Sequence, residues 1–69
     1  MINKSWFQLR LRELGKTQMG LAQVLDIDRG QVTRMLDGER RVQIDEVPLL
    51  AHYLEVEEIE ILRRLGLNV

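Results

Sequence analysis

The sequence predicts an all-α fold, a compact five-helix bundle forming a single domain over residues 1–69. Three observations carry this expectation. Apolar residues recur at helical spacings in successive short segments. Residues suited to helix ends bracket those segments, with Thr17, Asp28 and Asp45 at starts and Gly15, Gly38 and Gly66 at stops. No stretch shows the alternation of period two that a half-buried strand requires.

The first helix is expected from about Asn3 or Lys4 to Leu14, with Phe7, Leu11 and Leu14 on one face, Trp6 at its edge and Gly15 as a left-handed cap. The second starts at Thr17 as N-cap, carries the stripe Leu21, Val24 and Leu25, and turns the small Ala22 toward a close neighbour. The third follows Asp28, which with Gln31 forms a D-x-x-Q variant of the capping box; Val32, Met35 and Leu36 are its apolar face and Gly38 its stop. Helices this short are unstable alone, so two of them joined by "DID" suggest a helix-turn-helix over about residues 17–37. "GERRVQI" reads as a loop with Val42 tucked inward. The fourth helix runs from Asp45 to about Leu54. Asp45 as N-cap leaves Pro48 in the first turn, and Ile44 and Leu49 take the positions of a hydrophobic staple. The fifth runs from about Glu57 to Leu65, with acids at its start and Arg63 and Arg64 at its end, as the macrodipole favours. Ile59, Leu62 and Leu65 form one stripe and Ile61 lies on another side, which suggests a role in self-association.

Composition narrows the function. There is no cysteine and the one histidine is His52, which leaves no disulfide scaffold and no Cys/His metal site. Such a chain suits a reducing, cytoplasmic setting. No apolar run approaches the ~20 residues of a membrane span, and "MINKSWFQLRLREL" lacks the apolar centre of a secretion signal. No nucleophile motif, phosphate loop or catalytic constellation appears, so neither an enzyme nor a cofactor is expected; the acids at Asp45, Glu46 and Glu57 onward read as helix N-terminal charge. The net charge of −1 weighs against a nucleic-acid partner, but its distribution is uneven. Residues 1–44 carry +3 and residues 45–69 carry −4, so the first part could face phosphate.

The stretch "GKTQMGLAQVLDIDRGQVTRMLDGER", residues 15–40, resembles the lambda-repressor-like (Cro/CI, XRE) DNA-binding domains. Gln18 matches the Gln that opens the second helix, Leu21 and Ala22 an apolar–Ala pair, Ile27 the apolar residue after the bend, Val32 a buried β-branched residue and Gly38 the final Gly. "LLAHYLEV" is similar to the fourth helix of that family. The resemblance implies a five-helix bundle whose third helix enters the major groove of DNA. The chain departs from the family in carrying Asp26 where Gly is usual at the bend, Gly20 where many members have an acid, and Gly30 where Gln or Ser is common. Leu11 and Leu36 stand where some members bury an Arg–Glu pair, and they are expected to meet in the core.

Candidate base-contacting residues are Arg29, Gln31, Thr33 and Arg34, on the side of the third helix away from Val32, Met35 and Leu36. Arg suits guanine O6/N7 and Gln suits adenine N6/N7. An ordinary solvated face is the alternative, and Gln31 could instead fold back on Asp28 as a cap. Thr17, Gln18, Arg40 and Arg41 are the candidate backbone contacts; the resemblance gives Gln18 a phosphate and a bracing role. For Arg40 and Arg41 the alternative is an ion pair with Asp37 or Glu39. The expected function is a sequence-specific transcriptional repressor of phage or prophage type, binding a palindromic operator in double-stranded DNA as a homodimer, with no small-molecule ligand. It is either a whole Cro-like regulator or the N-terminal domain of a longer repressor, which the abrupt "GLNV" favours. The competing class is a protein-interaction module, such as an antitoxin or adaptor with the same fold.

Overall fold

The computed structural model describes residues 1–66; Leu67, Asn68 and Val69, the end of "GLNV", lie outside the described residues. These residues form five α-helices and no strand: α1 (Lys4–Leu14), α2 (Gln18–Leu25), α3 (Arg29–Leu36), α4 (Glu46–Leu54) and α5 (Glu58–Arg64). None of the helices is long and apolar enough to cross a membrane.

Local chemistry sets most helix ends. Asn3 caps α1, its side-chain oxygen accepting from the Trp6 N–H at 3.1 Å. Thr17 caps α2 through the Gly20 N–H at 3.0 Å, and Asp28 caps α3 through the Gln31 N–H at 2.9 Å. Three helices close in the same way, with a left-handed residue whose N–H and that of the next residue return to the last turn. At α1 this is Gly15 (φ 66°), with Lys16 N–H donating to Leu11 O at 2.8 Å. At α2 it is Asp26 (φ 57°), with Ile27 N–H donating to Ala22 O at 3.0 Å. At α4 it is Glu55 (φ 57°), with Val56 N–H donating to Ala51 O at 3.0 Å. Asp tolerates this conformation better than most non-glycine residues, so the bend after α2 forms on Asp26. Glu55 has no such tolerance. Its conformation is held from outside: Arg10 donates to the carbonyls of Leu54 (2.8 Å) and Glu55 (3.2 Å), and Lys16 bridges its carboxylate at 3.2 Å.

Phe7, Leu21, Val32, Met35, Leu50, Leu54 and Ile61 are fully buried, and Val42 packs against their edge. Helix α4 packs on α1, α2 and α5, and α2 packs on α3. Leu11 and Leu36 belong to the same core, 5% and 1% exposed. Trp6 sets its ring edge-on to Phe7 at 5.0 Å and takes the Arg64 guanidinium on its face at 5.1 Å.

Two expectations of register are corrected. Val24 is exposed, because α2 meets α3 and α4 through Leu21, Ala22 and Leu25. In α5 Ile61 is buried and Leu62 and Leu65 pack against the core, while Ile59 is exposed. The hydrophobic staple at α4 does not form: Ile44 is 90% and Leu49 42% exposed. Nor does the Asp45 side chain cap α4. The helix is entered instead through a turn in which Glu46 Oε1 accepts the Gln43 N–H at 2.8 Å, and Pro48 falls in the first turn.

Gly20 is explained by Tyr53. The Tyr53 hydroxyl donates to Thr17 O at 3.2 Å across the α2 N-terminus, and a Cβ on Gly20 would overlap that hydroxyl and come within 3.2 Å of Tyr53 Cζ. Replacing a helical Gly by Ala ordinarily stabilises by about 0.8–1 kcal/mol. Gly20→Ala should not show this gain, and should recover part of it in a Tyr53→Leu background; chemical denaturation of the double-mutant cycle measures the coupling. Leu36→Ala, which empties a fully packed site, should cost about 2–5 kcal/mol in the same assay.

Candidate nucleic-acid interface

Helix α3 buries Val32, Met35 and Leu36 against the core and leaves Arg29, Gly30, Thr33 and Arg34 exposed, with Gln31 half-buried. Neither Arg29 nor Arg34 has an ion-pair or hydrogen-bond partner for its side chain among the described residues. The two are five positions apart, about 140° around the helix, so they point to different flanks of one surface. Thr33 donates its hydroxyl to Arg29 O at 3.3 Å, which leaves it chiefly an acceptor toward anything outside. Only half of the capping box forms. The Gln31 N–H serves Asp28, but the Gln31 side chain makes no hydrogen bond among the described residues, and its amide keeps a donor and an acceptor. Gly30 supports the cap: a Cβ there would sit 3.1 Å from Asp28 Oδ1.

At the start of α2, the Thr17 hydroxyl oxygen is taken by Gly20 N–H, while its hydrogen stays available. Gln18 is half-buried and lines a shallow cleft with Gln8, Leu11, Arg12 and Lys16. The structure thus brings Arg12 to the side of Gln18, a neighbour that periodicity within either helix alone does not reveal.

The loop after α3 corrects one expectation. Arg40 is paired with neither Asp37 nor Glu39. Its two terminal nitrogens reach both oxygens of Glu46, at 3.0 and 2.9 Å. Glu46, only 7% exposed, is the one buried charged residue among the described residues. The Arg40 hydrogen bonds hold the Glu46 carboxyl below its ordinary pKa against the opposing effect of burial, and Glu46 in turn raises that of Arg40. Asp37 is taken by Lys4, and Arg41 remains exposed without a side-chain partner among the described residues. No local signal marked the Arg40–Glu46 pair, because it depends on how the loop returns to α4. A wider surface cleft of about 690 Å³ lies beside this loop, lined by Ile2, Leu36, Val42, Arg41 and Leu65 among others. No cluster of three His, Cys, Asp or Glu suited to a metal ion occurs among the described residues.

No family model, curated protein or solved structure matches this chain.

The Glu46 bridge gives a pH dependence of definite sign. A carboxyl whose pKa is lower folded than unfolded contributes stability above the unfolded value and loses it as pH falls through the folded one. The stability difference between the parent and Glu46→Gln should therefore be full at neutral pH. It should shrink as pH drops below the usual glutamate range, roughly 4.3. Urea unfolding at a series of pH values tests this, and a difference independent of pH contradicts it.

Proposed function

We propose that the chain is a sequence-specific DNA-binding regulator, a helix-turn-helix module of the lambda-repressor-like kind that lays α3 in the major groove. The observation that carries this reading is the outer surface of α3. It presents two arginines and a glutamine amide without side-chain partners among the described residues, while Lys4, Arg10, Lys16, Arg40, Arg63 and Arg64 are all bridged to acids. Long donors held on a capped, rigid helix are what reading of base edges needs: Arg for guanine, Gln for adenine. Arg34 is the leading base reader and Arg29 the second, closer to the helix end that enters first. Thr33 contributes an acceptor. Gln18, Thr17 and Arg41 contact the sugar–phosphate backbone and fix the register.

In this reading the chain acts as a repressor on a palindromic operator, two copies sitting on half-sites about one helical turn apart. Cooperation between copies compensates for the small surface one copy presents. The setting is the cytoplasm. One observation favours a protein-interaction module instead: two large apolar side chains at the start of α4 stand in solvent, Ile44 90% and Leu49 42% exposed. Salt separates the two, since DNA binding through phosphates gives a steep fall of log K with log salt.

Selection from a random duplex library should return a two-fold-symmetric site. On that site Arg34→Ala should cost about 1–3 kcal/mol and relax the choice at one base pair. Arg41→Ala should weaken all sequences about equally and reduce the salt slope by about one. Equal losses on every sequence for Arg34→Ala would mean that Arg34 only positions the helix.

A further inference from the structure

We infer that Arg12, flanked by Gln8 and Gln18, forms a phosphate subsite on α1 that takes a phosphodiester of the DNA backbone. This inference rests on the reading of α3 as the groove-entering helix. The cleft that these residues line with Leu11 and Lys16 brings two polar side chains and a cation to one place from two helices. Gln8 and Arg12 are four apart on α1 and therefore neighbours on one face. Gln8, Arg12 and Gln18 make no side-chain hydrogen bond or ion pair among the described residues.

The neighbouring cations make Arg12 stand apart. Arg10 donates to the Leu54 and Glu55 carbonyls and lies 3.6 Å from Glu13. Lys16, although it lines the cleft, is bridged to Glu55 and lies 4.6 Å from the centre of the Tyr53 ring. Of the three basic residues at this end of α1, only Arg12 has its charge uncommitted among the described residues, and it lines the same cleft as Gln18. A guanidinium and two amides supply only N–H donors and amide oxygens, a set that suits an anionic oxygen and coordinates no cation well. The simpler account is that Arg12 merely suits the C-terminal turn of α1, where a positive charge is favourable. That role affects stability and leaves the salt dependence of DNA binding untouched, so the two are separable.

The experiment measures log K against log salt on the selected operator and on random duplex, for the parent, Arg12→Gln, Arg12→Lys and Arg63→Gln. Arg63 is on α5 and bridged to Glu60, so its variant has the same net charge as Arg12→Gln. Expected for Arg12→Gln is a slope smaller by about 0.9 and a loss on the order of five- to ten-fold at 0.1 M salt, equal on both DNAs. Arg12→Lys restores most of the slope, and Arg63→Gln leaves it at the parent value. An unchanged slope in Arg12→Gln, or an equal drop in Arg63→Gln, overturns the subsite while leaving the reading of α3 standing. A parent protein with no salt-dependent binding to either DNA overturns both.

Discussion

The seating of α4 is the constraint on which the rest of the fold depends. Among the described residues no helix exceeds 11 residues, and helices so short hold only against neighbours. Helix α4 supplies that neighbour three times over, packing on α1, α2 and α5. Leu50 and Leu54 fill the centre, and both ends of the helix are fixed by charge. At its start, Glu46 takes Arg40 and the Gln43 N–H. At its end, Arg10 and Lys16 from α1 and its exit hold carbonyls that the helix leaves unpaired. Tyr53 then carries the position of α4 to the first residues of α2 through Thr17, and α2 carries it to α3 by packing. The outward surface of α3 is therefore aimed by contacts several helices away.

The same ties change what the net charge means. A sum of −1 treats every ionised group alike, yet most of the basic residues are neutralised within the fold. Arg12, Arg29, Arg34 and Arg41 are the cations left without acidic partners among the described residues, and all lie in the first 44 residues. Each phosphate neutralised releases about one counterion, so a surface with few free cations gives a modest salt slope per copy. In the proposed function, two copies on one operator would double that slope.

Local signals were legible in the sequence. Thr17 and Asp28 as caps, Gly15 as a left-handed end, and Val32, Met35 and Leu36 as a buried face follow from rules that reach no further than four residues along the chain, whereas Asp26 at the bend was legible only through the resemblance. What the sequence hid depends on neighbours distant along the chain. Val24 and Ile59 are as apolar as the residues that are buried, and only the approach direction of other helices leaves them outside. Ile44 and Leu49 have staple spacing, but the turn held by Glu46 replaces the extended entry a staple requires. Arg40 looks like any loop arginine until the loop closes on Glu46. Glu55 carries no mark of a left-handed residue, because its support comes from Arg10 and Lys16.

Asp28 and Gly30 join folding and proposed reading in one feature. The cap needs its carboxylate oxygen close to the Gln31 N–H, and that oxygen would lie 3.1 Å from any Cβ at position 30. Such a contact is tighter than most, so a side chain there would press on the cap. The resemblance puts Gln or Ser at this position, and here the cap occupies that space instead. Gly costs helix stability, roughly 1 kcal/mol against Ala, and an N-cap hydrogen bond contributes about the same. The two effects are of similar size for the fold, and the glycine also bears on the proposed recognition. It removes one side chain from the outer surface of α3 and leaves bare the turn over which Arg34 leans, since helical side chains tilt toward the N-terminus. In the proposed reading, base contacts on that flank fall to Arg34, whose long side chain leans over the turn the glycine leaves bare.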